Sequence, residues 1–248
     1  TNMDTYDNGN DADIPYTASL SPNPVLTVNN GMELHVTTAK TFTPGGAVTT
    51  DPSAVASSSD GDVHIDGTGT LSMEANALSV GGDFNNEGTM TFTASQTTTF
   101  TATATGHVIT DGGENFENVI FNGASGGWSF ADATTITKDL TLTNGTLSGT
   151  VDVTVNGTVA CGVTCGTITL TGGTFLQSVG ASAKNFGTNV AVATNWKFFN
   201  LTFTSDATVV ITTSSTGTGT IEVSNALTIS VSSTMNAGNR TYILSGAI

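Results

Sequence analysis

The side chains of this 248-residue chain whose types and spacing could do chemistry are mostly carboxylates, joined by one close pair of cysteines. Asp7, Asp11 and Asp13 are spaced through Asn8, Gly9, Asn10 and Ala12. Hard cations such as calcium take several oxygen ligands from a tight, glycine-containing loop, so this spacing suits a calcium site. The EF-hand pattern is incomplete, because no Glu stands at the twelfth position from Asp7. Asp60-Gly61-Asp62, followed by Asp66, is a second and sparser candidate of the same kind. The competing reading of both stretches is a solvated acidic loop. Cys161 and Cys165 offer two thiolates, short of the four ligands a structural zinc site wants. A disulfide closing a short loop in an exported protein is the expected use, and two buried thiols are the alternative.

His35, His64 and His107 lie far apart in sequence. His35 and His64 sit in the middle of alternating strand patterns, where an outward polar residue is expected. None has a nearby Cys, a second His at metal spacing or a serine in a nucleophile elbow, so all three read as structural. Cleavage of acidic polysaccharides needs cationic groups to offset substrate charge, and only Lys40, Lys138, Lys184, Lys197 and Arg240 are basic. No catalytic signature is present, and the chain is expected not to be an enzyme or to carry a cofactor, calcium excepted. Trp128 and Trp196 are the candidate platforms for stacking on glycans, with core packing as the default. Asn144, Asn156, Asn200 and Asn239 head Asn-x-Thr tripeptides that read first as turn or ladder asparagines.

Composition says what must position these groups. Twenty acidic residues against five basic ones give a net charge of −15. Nucleic acid is thereby excluded as a partner, since phosphates need clustered Lys and Arg. No apolar run approaches the roughly 20 residues that span a bilayer, so membrane insertion of this segment is not expected. The 49 Thr and 29 Gly, with few helix formers, point to short strands and many turns. Thr1-Asn2-Met3-Asp4 lacks the basic start and apolar stretch of a signal peptide, which fits a precursor already trimmed and equally a partial chain.

Residues 1–24 carry Pro15, Pro22 and Pro24 and read as an irregular arm or cap. In 25–62, a hairpin is expected between Val25–Val28 and Met32–Val36 across Asn29-Asn30-Gly31, followed by a loop. From 63 to 248, short runs such as Val63-His64-Ile65 and Val153-Thr154-Val155 alternate at period 2, with Gly or Asn-Gly between them. A longer repeat overlies this pattern. Phe116-Glu117-Asn118-Val119-Ile120-Phe121 returns 82 residues later as Phe198-Phe199-Asn200-Leu201-Thr202-Phe203. Leu78-Ser79-Val80 and Gly88-Thr89-Met90-Thr91 return as Val153-Thr154-Val155 and Gly166-Thr167-Ile168-Thr169. The repeat units run about 78–152 and 153–226, with a partial unit at 227–248. Recurring inward residue types favour an all-β fold, an elongated β-solenoid (parallel β-helix); tandem β-sandwich domains are the alternative.

The Leu-x-Val-x-Gly, Gly-Thr-x-Thr and Phe-x-Asn-x-x-Phe units over 63–248 resemble the repetitive β-helical surface proteins of prokaryotes, namely adhesin and haemagglutinin-like stalks and extracellular filament subunits. The resemblance implies an extracellular or cell-surface location. It also implies a structural subunit that assembles head to tail with copies of itself, through strand pairing or strand donation. Ile14, Tyr16, Val25, Leu26 and Val28 on one side, and Tyr242, Ile243 and Leu244 on the other, are the expected subunit contacts. The alternative function is a surface adhesin or glycan-binding module, calcium-dependent or not.

Overall fold

The computed structural model describes residues 11–14, 18–19, 25–29, 31–55, 60–93, 95–162, 164–188, 193–205, 211–215 and 217–246. Every regular element among them is a β-strand, and every strand pairing is parallel. The described residues wind as a β-solenoid of about ten turns. Each turn lays one strand, or part of one, on each of three faces.

The first face begins with Asp11–Ile14, Glu33–Val36, Val63–Ile65, Phe84–Asn86 and His107–Thr110, each beside the next. It continues through 127–130, 146–149, Thr167–Leu170, 193–198, 218–223 and Thr241–Leu244. The second face stacks Ala18–Ser19, Thr41–Thr43, Thr70–Glu74 and Thr89–Phe92 as a separate four-stranded sheet. It resumes at the Phe116–Ile136 bridge and runs through Val153–Val155, Thr174–Ser178, 200–204 and 226–229. The third face carries Leu26–Val28, Val48–Thr50, Leu78–Val80, Thr97–Phe100, 118–121 and 140–142. Val159–Cys161, Asn185–Thr188, Ile211–Ser215 and Ser233–Asn236 complete it.

Period-2 alternation explains why these sequences stack. One side chain in two points into the coil, and the parallel register sets it over its counterpart a turn away. Val36 thus stacks on Ile65, and Val119 on Leu140. The interior is continuous from Val28 to Val223. Aromatic rings fill two stretches of it, with Phe100–Phe121 and Phe121–Trp128 centroids 5.3 and 5.1 Å apart, and Phe175–Phe198 and Phe186–Phe203 centroids both at 5.1 Å. Tight corners are needed between faces, and at Gly81 a Cβ would overlap the Asp51 carbonyl of the preceding turn.

The N-terminal part departs from expectation in two places. Within the stretch read as an irregular arm, Asp11–Ile14 and Ala18–Ser19 are already paired in the solenoid. The hairpin across Asn29-Asn30-Gly31 does not form either. Leu26–Val28 lies on the third face against Val48–Thr50, while Glu33–Val36 lies on the first face against Val63–Ile65. Val28 and Leu34 are both buried, which a coil corner allows; Gly31 takes that corner at φ +82° and donates its N–H to Asp60 Oδ1 at 2.6 Å.

The long sequence repeat has an unexpected structural meaning. Val119 and Phe121 of its first copy lie on the third face, whereas Leu201 and Phe203 of the second lie on the second face. Leu78–Val80 and Val153–Val155 differ by the same step, from third face to second. Thr89–Phe92 and Thr167–Leu170 differ by the step from second face to first. What recurs is therefore a strand-and-corner unit, shifted by one face between its two copies. The two motif asparagines do one job at their different corners: Asn118 Nδ2 donates to the Gln96 carbonyl at 2.9 Å and Asn200 Nδ2 to the Gly173 carbonyl at 3.0 Å.

Candidate functional site

Polar chemistry gathers on the outer side of the first face in the early turns. Glu33–Val36 and Val63–Ile65 each bury two apolar residues and turn a histidine outward. Because His35 and His64 are register partners, their rings stack with centroids 4.8 Å apart and 11° between planes. Asp66, just past the second strand, reaches both. Its Oδ1 lies 3.0 Å from His35 Nε2 and 3.7 Å from His64 Nε2. Its Oδ2 accepts from the Thr38 N–H at 2.9 Å and the Thr38 hydroxyl at 3.1 Å. The His35 hydrogen bond, aided by those from Thr38, holds the Asp66 carboxyl below the usual carboxylate range.

A shallow recess lined by Glu33, Asp62, His64, Asp83 and Asn85 adjoins this group. Burial pushes the Asp62 carboxyl up to about 7, and the neighbouring Asp83, Glu33 and Asp60 charges act in the same direction. Asp83 Oδ1 accepts from His107 Nδ1 at 2.8 Å and from the Val108 N–H at 3.1 Å. His107 itself is buried.

Sequence reasoning treated His35 and His64 as isolated. The signal that joins them is their setting, Leu34-His35-Val36 and Val63-His64-Ile65, which is one inward–outward–inward triplet used twice, one turn apart. The second candidate calcium loop has another use. Asp60 holds the Gly31 N–H, Asp62 Oδ1 accepts the Asp83 N–H at 2.7 Å, and Asp66 orients toward the histidines. In the first candidate loop, Asp7 lies outside the described residues, and Asp11 and Asp13 belong to an extended strand rather than a tight loop, with Glu33 and His35 as register partners.

Cys161 and Cys165 form a disulfide across a corner, as expected. Both indoles are core: Trp128 is buried, and Trp196 is buried with its Nε1 donating to the Gly166 carbonyl at 3.1 Å, so neither can stack on a sugar. Asn144 Nδ2 donates to Asn122 Oδ1 at 2.9 Å on the preceding turn, a ladder asparagine as read.

The expected subunit contacts fall in several settings. Tyr16 lies outside the described residues, and Ile14 ends the strand paired with Glu33–Val36. Val28 is core, Leu26 packs against it, and Val25 is exposed. Around the last described turn, Leu227, Met235, Tyr242 and Leu244 are only partly covered, and Ile229, Val231 and Ile243 are exposed. Ile229 is the register partner of the fully buried Phe203, so an inward position of the coil surfaces there. No helix among the described residues is long and apolar enough to cross a membrane. Comparison with known proteins finds no matching family model, no matching curated sequence and no matching solved structure.

Proposed function

We propose that this chain is a non-catalytic structural subunit of an extracellular filament or surface fibre, which adds copies of itself head to tail by continuing the parallel strand ladder. The observation that carries the reading is the parallel ladder that runs through the described residues from Asp11 to Leu244, each rung pairing its backbone with the next. A parallel coil accepts another rung wherever its apolar interior and strand edges are presented, and contact of one end with the opposite end of a copy does not close on itself. The disulfide and the acidic, lysine-poor composition support an oxidising, exported setting. Sedimentation velocity over a range of concentrations tests the reading. The chain should form growing oligomers, and Ile229→Lys, which sets a charge at an exposed apolar position of the last described turn, should remain a monomer. A wild-type chain that stays monomeric throughout would overturn it.

A further inference from the structure

We propose that His35, His64 and Asp66 form a binding site for a divalent transition-metal ion of the zinc class. The inference does not depend on how the subunits assemble. One ligand atom from each residue lies within 4.8 Å of the other two. A tetrahedral ion with metal–ligand distances of about 2.0–2.2 Å holds its ligands roughly 3.3–3.5 Å apart. The 3.0 and 3.7 Å separations from Asp66 Oδ1 to the two imidazole nitrogens bracket that value. Two imidazoles and one carboxylate suit borderline ions such as zinc, whereas calcium and magnesium prefer all-oxygen sites. A fourth position stays open to water.

The site is partly organised before any ion arrives: the two rings lie stacked with 11° between planes, so one of them must turn about its side-chain torsions for both Nε2 lone pairs to meet one ion. Strand register fixes the two rings side by side, and Thr38 holds Asp66 Oδ2 so that Oδ1 faces them. Such outer contacts are what orient ligands in metal sites. His64 Nε2 is shielded from solvent and has no hydrogen-bond partner, a costly state that coordination relieves. When the ion displaces the proton between His35 Nε2 and Asp66, the imidazole proton moves to Nδ1, which lies 3.8 Å from Glu33 Oε1. The recess carboxylates Asp62 and Asp83 add negative charge beside the ion.

Calorimetric titration of the chelator-treated chain with zinc at about pH 7.5, where imidazoles are neutral, tests the site. One ion should bind per chain, and excess calcium should not compete. His35→Asn and His64→Asn should each weaken binding by at least about tenfold, with circular dichroism confirming an unchanged fold. Asp66→Asn, which keeps the size of the side chain and removes its charge, should show the same loss and serves if a histidine variant misfolds. Cobalt should give the visible absorption of a low-coordinate ion in the wild type and lose it in the variants. Absence of saturable zinc binding up to about 1 mM, or affinity unchanged by these substitutions, would overturn the proposal.

Discussion

Asp111 illustrates how single charges are held in this coil. It is buried, its Oδ1 accepts the Gly113 N–H at 2.9 Å, and its Oδ2 has no hydrogen-bond partner. Burial pushes the carboxyl up to about 6 from 3.8, and the nearby Asp132 charge adds to the rise. The folded chain thus holds more protons than the unfolded chain between those values. This group's contribution to stability is present in full below about pH 4 and is lost as pH rises through about 6. Asp111→Asn, which stays neutral, should flatten that part of the stability profile; urea unfolding midpoints from pH 4 to 7 check it, and an unchanged slope would assign it to other groups. Little of this was legible in the sequence. Asp111 sits in an Asp-Gly-Gly segment, and only the coil shows that Asn86 of the preceding turn donates to the Asp111 carbonyl, at 2.8 Å. His35, His64 and Asp66 were hidden for the same reason, since residues 29 to 31 positions apart become neighbours only once turn length and register are known.

At the scale of strands and corners, the acidic surplus acquires a structural role. Asp62 holds the Asp83 N–H, Asp83 the Val108 N–H, Asp139 the Thr158 N–H and Asp152 the Thr174 N–H, the last two at 2.7 Å. In each case a corner carboxylate of one turn accepts from the backbone of the next. These staples satisfy amide groups at positions where strand pairing stops. Asp152→Ala should cost about 0.5–1.5 kcal/mol and Asp152→Asn distinctly less, because the amide oxygen can still accept. Denaturant titration of the two variants distinguishes a staple from a merely solvated charge, for which the two would cost the same. The strands themselves were legible, because the inward–outward alternation of runs such as Val153-Thr154-Val155 matches the observed burial. The Asn29-Asn30-Gly31 turn was misread because a hairpin and a coil corner ask for the same residues. What differs is the distant partner strand, which local sequence does not encode.

For the whole molecule, face-swapped repeats such as 116–121 and 198–203 mean that one strand-and-corner unit serves more than one face, so a chain of such units can be extended rung by rung. The solenoid itself could be anticipated from those repeats, since every turn needs the same inward residue types; the relation of repeat to turn could not, because it depends on how many residues each corner consumes. The proposed contact between copies would cover Leu227, Ile229 and Leu244, which are partly or largely exposed at the last described turn. The net charge of −15 opposes that contact through self-repulsion, which added salt screens. The central claim is polymerisation along the coil axis, and X-ray diffraction from oriented material assembled from the chain tests it most directly. Strands one rung apart should give a reflection along the fibre axis near 4.8 Å. About ten such rungs per subunit should add an axial repeat of at least about 45 Å. Material whose 4.8 Å reflection lies across the fibre axis, or a chain that forms no fibres under any assembly condition, would contradict the account.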